Sequence, residues 1–436
     1  MTDPHARDTS GRARTLRAGQ NAAALVAAKL AAGVCALLQV PILLGHVGAE
    51  NFGWMTVILS LLALIPLADL GVAMALQHAL AENWSRRDAA SLHVTYRTGQ
   101  YILRWHALAV LALGLLLTAT APTLGFVAPA SISPLEHRLA LLIVTASTAL
   151  GVYLSTAGRL ADAIQAGWIN AVWNAVAAVV TLAGLAAAAA SGASPTLCVA
   201  LLCGQQLLPP FCARLQVRRR LGWKTSPART DARPLWRAGL RFAPMHLSGA
   251  LMYTAAPALF ARFGGYEASA AYGVLQRLFG VFTQVLQLAL GPLWPAYVEA
   301  RAQGDATWTR RTFFRSLALA GLASAALLGV VLARDLVFKV WLHTTLPLDA
   351  ALAWWLGVHT ALSLFTIAFS QFLLGHNRLQ CAAPAISVGQ FACLPAMLVL
   401  GTLFAAPGVA AALCSTVALV TLPALLWQTR AALARP

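Results

Sequence analysis

Long runs of apolar residues alternate with short polar connections along the whole chain. A helix needs about 20 apolar residues to cross the hydrocarbon core of a membrane, and each run reaches roughly that length. The pattern therefore predicts an all-α integral membrane protein with about twelve transmembrane helices. The predicted spans are residues 21–44, 52–80, 99–121, 137–160, 167–190, 195–213, 238–261, 268–297, 313–333, 350–374, 380–403 and 408–428.

The composition agrees with this class. Hydrophobic residues make up 59% of the chain, charged residues only 10%, and the mean hydropathy is +0.71. Soluble domains carry about 25% charged residues. The formal net charge of +17 would suit a nucleic-acid-binding protein, but the basic residues lie in loops between apolar runs rather than in one patch. We therefore expect membrane lipids, and no nucleic acid, as partners.

The basic residues predict how the spans are oriented. A stretch at the middle of the chain, residues 214–241, is rich in Arg and interrupted by Gly222, Pro227 and Pro234. Lys and Arg close to membrane spans are retained on the cytoplasmic side. With this stretch inside, about 25 of the 31 Lys and Arg fall on the cytoplasmic side of the predicted topology. Both termini are then expected in the cytoplasm.

This topology predicts two membrane halves of six helices each. The predicted regions are a basic cytoplasmic tail (1–18), an N-terminal six-helix bundle (19–213), a basic cytoplasmic linker (214–237), a C-terminal six-helix bundle (238–429) and a second cytoplasmic tail (430–436). Residues 41–44 with Gly48 are matched by residues 257–260 with Gly264 at an offset of 216. Such internal repeats are typical of transporters.

The first hairpin resembles a known family. Residues 48–54 (GAENFGW), followed by residues 67–71 (LADLG), are similar to the first hairpin of bacterial polysaccharide flippases, the O-antigen (Wzx-type) branch. That branch belongs to the superfamily that also contains multidrug exporters and lipid II flippases. Residues 164–167 with Asn170 are similar to the start of the family's fifth span. Lipid II flippases have two further spans that this chain lacks, so lipid II itself does not follow as the substrate.

The resemblance implies a V-shaped pair of six-helix bundles around a central cavity that works by alternating access in the bacterial inner membrane. It implies a flippase for undecaprenyl-diphosphate-linked oligosaccharide, an O-antigen or exopolysaccharide repeat unit, and not an enzyme. The lipid-linked oligosaccharide would be the main partner. A glycan polymerase and a chain-length regulator are further candidate partners.

Charges inside the spans are the candidate site, since an ionisable group in hydrocarbon must meet a partner or a cavity. Arg277 and Lys29 each lie about ten residues inside a span and would suit a diphosphate. Arg277 could instead pair with a neighbouring carbonyl, and Lys29 could reach the interface or pair with Asp69. Arg241 and Arg104, at predicted inner ends, could bind substrate or meet anionic lipid.

The sequence allows three roles for Asp69. It could titrate with a coupling proton, form an ion pair with Lys29, or cap a helix that Pro66 interrupts. An ion-coupled multidrug exporter is the alternative function, although a site for cationic drugs would need intramembrane carboxylates and only Asp69 lies deep in a span. A membrane glycan polymerase or transferase is the remaining alternative, and the predicted outer loops are short for one.

Cofactors and metals are not expected. The seven Cys residues lack a CxxC motif and lie almost entirely in apolar runs, which indicates core packing. A phosphate-binding glycine-rich loop is also missing from the sequence. We therefore expect no catalytic residue, cofactor or metal ligand in this chain.

Overall fold

The computed structural model describes residues 11–65, 69–120, 128–222, 231–240, 243–342, 349–376 and 378–433. Within these ranges every regular element is a helix. The predicted all-α class is therefore confirmed. The first half of the chain contains α1 (Gly11–Ser60), a 3-10 turn (Leu61–Leu64), α2 (Val72–Ser85), α3 (Ala89–Thr120), α4 (Pro134–Ala163), α5 (Trp168–Ala190) and α6 (Pro195–Leu221).

A short helix, α7 (Arg233–Leu240), separates this half from a second set of long helices. It is amphipathic, with Trp236 and Leu240 among its exposed residues. The remaining elements follow it in the second half. These are α8 (Ala243–Leu290), α9 (Leu293–Ala302), α10 (Ala306–Leu332), α11 (Arg334–Leu342), α12 (Ala350–Gly375), α13 (Leu379–Thr416), a π-helical turn (Val417–Thr421) and α14 (Leu422–Leu433).

Three of the long helical stretches reverse direction and so contain two membrane-length segments each. The backbone turns at Gly48 (φ 79°), Gly265 (φ 74°) and Ala405 (φ 53°). The described residues contain nine helical stretches that are long and apolar enough to cross a membrane. With the three reversals they give twelve segments, arranged as two six-helix bundles, as predicted. The first bundle comprises α1 to α6, and the second comprises α8 to α14.

The second predicted span is not one continuous helix. The sequence predicts a helix over residues 52–80, but α1 ends at Ser60 and α2 begins only at Val72. Gly71, which precedes α2, has a φ of 78° that glycine adopts without steric cost. The apolar pattern continues through this break, so hydropathy alone could not reveal it.

Several helices begin or end beyond their predicted spans, and two of them show the reason. The helix α6 continues to Leu221, eight residues past the predicted span end at residue 213, and α10 starts at Ala306 instead of residue 313. Both extensions carry Arg residues. A helix can continue past the apolar core because long cationic side chains reach the water at its ends.

At the second hairpin, the turn lies one residue later than the predicted repeat placed it. The sequence paired Gly48 with Gly264, but Gly265 adopts the left-handed conformation that matches Gly48. Gly264 stays helical and packs against Ala406, whose Cβ would lie 2.9 Å from a Cβ added at Gly264. The two adjacent glycines therefore have different roles, one in the turn and one in close helix packing.

The two bundles meet mainly through α1 and α8. We call the end of the molecule with the Gly48 and Gly265 turns the hairpin end, and the end with Leu221 and Arg233 the linker end. At the hairpin end a Cβ on Gly53 would overlap the backbone carbonyl of Tyr266. One apolar core includes buried residues from both bundles. The hairpin ends of the bundles are therefore in direct backbone contact.

Candidate functional site

A cavity of about 440 Å³ lies between the two bundles. It is lined by both segments of α1, the 3-10 turn, α6 from the first bundle and α8 from the second. Most of its wall is aliphatic. Its polar lining residues are Gln39, Gln205, Gln206 and Arg277.

Arg277 lies close to the middle of the membrane. It stands 12 residues after the Gly265 turn, which is about 18 Å along a helix at 1.5 Å per residue. The hydrocarbon core of a bilayer is about 30 Å thick. The position of Arg277 near the middle of the membrane is inferred from this count and stays a prediction, while its place in the cavity wall is given by the structure.

The first bundle contributes an aromatic ring to Arg277. The Arg277 guanidinium carbon lies 5.4 Å from the centre of the Phe52 ring, a distance at which a cation is attracted to the face of the ring. Nη1 of Arg277 is shielded from solvent and has no hydrogen-bond partner among the described residues. This nitrogen is therefore a donor available to a ligand.

Two of the cavity glutamines connect separate helices of the first bundle. Gln39 Nε2 donates a hydrogen bond to Gln205 Oε1 over 3.1 Å, joining α1 to α6. Gln39 is buried, whereas Gln206 beside it in the cavity wall is exposed. The amides keep the cavity polar without adding charge.

The cavity combines a cation with neutral amides. None of its lining residues in the described chain is a carboxylate. A buried charge without a counter-ion is costly, and an incoming anion removes that cost. The planar guanidinium can donate two parallel hydrogen bonds to phosphate oxygens, which a lysine cannot do. The site is therefore suited to a phosphate group.

Lys29 lies on α1 toward the linker end from this cavity and does not line it. Its side chain is exposed. One helical turn further along, Gly33 faces the second bundle, since a Cβ there would lie 3.5 Å from Gln284 Oε1. Lys29 shares this face of α1 because residues four apart lie above one another on a helix. The structure thus places it beside the cleft but away from Arg277.

The other two cations proposed from the sequence are not brought to the cavity. Arg104 is exposed on α3, next to Trp105, whose side chain is also exposed. It lines neither this cavity nor the others found in the described part of the chain. Arg241 lies outside the described residues.

Asp69 lies at the break between α1 and α2. Its Oδ1 accepts a hydrogen bond from the backbone N–H of Gly71 over 2.7 Å, and the residue is 2% exposed. This side-chain contact to the N–H two residues later is an Asx-turn, and it lies just before α2, whose N-cap Gly71 has no side-chain capping bond. Asp69 does not line the cavity around Arg277.

At the linker end of the first bundle, three arginines are held by neutral partners. The pairs are Arg97 with Gln100, Arg159 with Gln77 and Arg214 with Tyr153, with donor–acceptor distances of 3.4, 3.0 and 3.0 Å. Neutral partners orient a guanidinium without cancelling its charge. This end of the bundle therefore remains positively charged.

Sequence reasoning missed the glutamines of the cavity. Gln39, Gln205 and Gln206 were not singled out, because an isolated amide in an apolar run costs less than a charge and gives a weaker signal. Their distance from the ends of the helices could have revealed them, because it places these amides far inside the membrane. Gln39 stands nine residues before Gly48, and Gln205 ten residues after the start of α6, which places both about as deep as Arg277.

Contacts between the bundles lie at the depth of the cavity and nearer the hairpin end. At the depth of the cavity, Ser60 Oγ donates to the Thr254 carbonyl over 3.2 Å, and Thr254 Oγ1 donates to the Ser60 carbonyl over 3.3 Å. Trp341 Nε1 also donates to the Leu37 carbonyl over 3.3 Å. The Gly53–Tyr266 contact lies between the cavity and the hairpin turns and closes that side.

Comparison with known proteins gives the fold but no close relative. No family model matches the sequence, and no curated protein sequence matches it. Among solved structures, the chain is similar to an inward-facing multidrug resistance MATE family transporter of the MOP superfamily. The TM-score is 0.73 at 11% identity, over 92% of this chain and 95% of that one.

Two further structures extend the comparison. The lipid II flippase MurJ in an inward closed conformation gives a TM-score of 0.71 at 10% identity, over 93% of this chain and 87% of that one. The MATE multidrug transporter DinF-BH gives 0.61 at 15% identity, over 99% and 98%. The chain has the fold of these membrane transporters. At such identities the similarity establishes the fold alone, so the choice of substrate depends on the cavity.

Proposed function

We propose that this protein is a flippase that moves an undecaprenyl-diphosphate-linked oligosaccharide across the bacterial cytoplasmic membrane. The observation that carries the proposal is Arg277 Nη1, which has no hydrogen-bond partner among the described residues, in a cavity between the bundles whose described lining contains no carboxylate. A diphosphate supplies the acceptors that Arg277 lacks. The first-hairpin sequence supports the same substrate class, and the fold, shared with a lipid II flippase and with multidrug transporters, is compatible with it.

The linker end faces the cytoplasm in this proposal. Most Lys and Arg of the residues that the structure describes lie at that end, as expected for the cytoplasmic side of a membrane protein. The hairpin end is closed, so the described state would receive substrate from the inner leaflet. The arginines at the linker end of the first bundle, with Lys29 beside the cleft, would attract the diphosphate toward Arg277. Alternating access then requires the Ser60–Thr254 contacts to open.

A multidrug exporter is the second candidate, supported by similarity to the folds of two multidrug transporters. Export of a cationic drug calls for an intramembrane carboxylate that faces the drug. Asp69 does not line the cavity, and its Oδ1 accepts the Gly71 N–H. Dye export tests this candidate. Strong export of a cationic dye by the wild type, abolished in Asp69→Asn, would favour the exporter over the flippase.

Deletion of the gene for this protein in its native host tests the proposed flippase function. The null strain should accumulate lipid-linked oligosaccharide in the inner leaflet, because synthesis continues while translocation stops. Sidedness is measured by the access of a membrane-impermeant, glycan-modifying enzyme in intact spheroplasts. Re-expression of the wild type should remove the accumulated material. A null strain with unchanged lipid-linked oligosaccharide and unchanged surface glycan would contradict the proposal. A polymerase and a chain-length regulator are the partners proposed to act on the product.

A further inference from the structure

A second cavity, of about 350 Å³, lies within the C-terminal bundle. It is formed by both segments of α8 together with α12 and α13. Its volume falls within the range of about 300–1,000 Å³ found for small-molecule sites. We call it the C-bundle pocket. Gln276, in its wall, is the residue immediately before Arg277, so the pocket lies next to the cavity between the bundles.

The pocket is aromatic and polar but uncharged. The rings of Tyr253, Tyr272 and Phe279 share its wall with the amides of Gln276 and Gln284. None of its lining residues in the described chain is Asp, Glu, Lys or Arg. An amide both donates and accepts hydrogen bonds, as a hydroxyl does. This chemistry matches a neutral ligand that presents hydroxyl groups and apolar C–H faces, which describes a sugar.

The pocket also holds a polar atom without a partner. Nδ1 of His359 is shielded from solvent and makes no hydrogen bond within the described structure. Buried polar atoms in proteins are almost always hydrogen-bonded. A hydroxyl group in the pocket would supply the missing partner, which an apolar ligand could not do.

The mouth of the pocket opens toward the first bundle. Gln276 and Gln284 are exposed although they lie well inside a membrane span, and Tyr253 is 52% exposed. Gln284 Oε1 lies opposite Gly33 of α1, 3.5 Å from the position of an added Cβ. A ligand in the pocket therefore contacts the same cleft that leads to Arg277.

We propose that the C-bundle pocket binds sugar residues of the transported molecule while Arg277 binds its phosphate. This inference rests on the proposed flippase function. Each of the two neighbouring cavities would then bind a different part of the substrate. The charged cavity recognises the carrier that all such lipids share, and the uncharged pocket recognises the glycan that distinguishes them.

Binding of two probes to the purified protein tests whether the C-bundle pocket binds sugar while Arg277 binds phosphate. One probe is undecaprenyl diphosphate without sugar, and the other is lipid-linked oligosaccharide extracted from the null strain. Gln284→Leu should weaken binding of the oligosaccharide probe about tenfold, a typical effect of losing a hydrogen bond to ligand. Binding of undecaprenyl diphosphate should not change. Tyr253→Leu, at a half-exposed position, should give the same pattern, and Arg277→Ala should weaken both probes.

The outcomes separate this inference from the proposed function. If Gln284→Leu and Tyr253→Leu leave both probes bound as in the wild type, or weaken both equally, the pocket does not bind the glycan. Retained binding of undecaprenyl diphosphate shows that each variant is folded. If the wild type binds neither probe, the flippase proposal fails, and the glycan pocket fails with it. If the wild type binds undecaprenyl diphosphate and the oligosaccharide probe equally well, only the pocket proposal is overturned.

Discussion

At the scale of single residues, we expect the carboxylate of Asp69 to have a structural role. Its Oδ1 accepts the Gly71 N–H at the break between α1 and α2. Asn offers an acceptor oxygen of the same geometry, whereas Leu offers none. Asp69→Asn should therefore retain most glycan export, and Asp69→Leu should reduce the amount of folded protein because a buried N–H left without its acceptor costs about 1–3 kcal/mol.

Export and membrane-inserted protein are measured together for both Asp69 variants. A normally inserted Asp69→Asn protein with no export would show that the charge itself is needed, as in proton coupling. A normally inserted and fully active Asp69→Leu protein would show that the contact with Gly71 contributes little.

The sequence singled out Arg277, which lines the cavity between the bundles, but not the residues around it. A charge within an apolar run is a strong signal because of its insertion cost, and counting residues gave its depth. Lys29 gave the same signal, yet it lies beside the cleft, because depth does not determine direction around a helix. The contributions of Phe52 and Gln205 depend on how the bundles pack, which spacing along one chain does not contain.

At the scale of elements, the contact between α1 and α8 closes the hairpin end. Gly53→Ala would place a methyl group against the Tyr266 carbonyl. Overpacking of this kind typically costs about 1–3 kcal/mol. We expect a lower melting temperature in detergent and weaker complementation of the null strain. Gly45→Ala, on the same helix, is the matched control, since nothing lies within 4 Å of its added Cβ.

Equal melting temperatures and equal complementation for Gly53→Ala and Gly45→Ala would contradict the close packing of the hairpin end. A loss confined to Gly53→Ala would support it. The control also excludes a general effect of the glycine-to-alanine change on α1.

The hairpins themselves were predictable, whereas the details of several helices were not. Short glycine-containing connections between apolar runs predicted the turns at Gly48 and near Gly264. The choice of Gly265 over Gly264 depended on packing against Ala406, a residue far away in the sequence. The break before Val72 lies inside an apolar run, so hydropathy could not locate it.

At the scale of the whole molecule, the distribution of basic residues predicts which end faces the cytoplasm. Reporter fusions at Ser226 and Gln303 should report the cytoplasm, and fusions at Ala128 and Thr345 should report the outer side. Ser226 and Thr345 lie outside the described residues, so these fusions test the topology independently of the coordinates. A reversal at any one site would contradict the twelve-span orientation, since every later loop would change sides.

The fold of the whole chain does not decide between lipid and drug, because both kinds of transporter share it. The decision depends on whether the cavity between the bundles binds an anion. Arg277 is the group that gives this cavity its charge. The central claim is therefore that Arg277 binds the phosphate of the transported lipid.

Complementation of the null strain by Arg277→Ala tests this claim most directly. Arg262→Ala is the matched control, because Arg262 lies on the same helix, 5.9 Å from the centre of the Phe263 ring, but is exposed and lines neither cavity. With membrane-inserted protein quantified beside glycan export, Arg277→Ala should be inserted normally and export nothing. Arg277→Lys should retain part of the export, and Arg262→Ala nearly all of it. Full export by a normally inserted Arg277→Ala protein would contradict the claim.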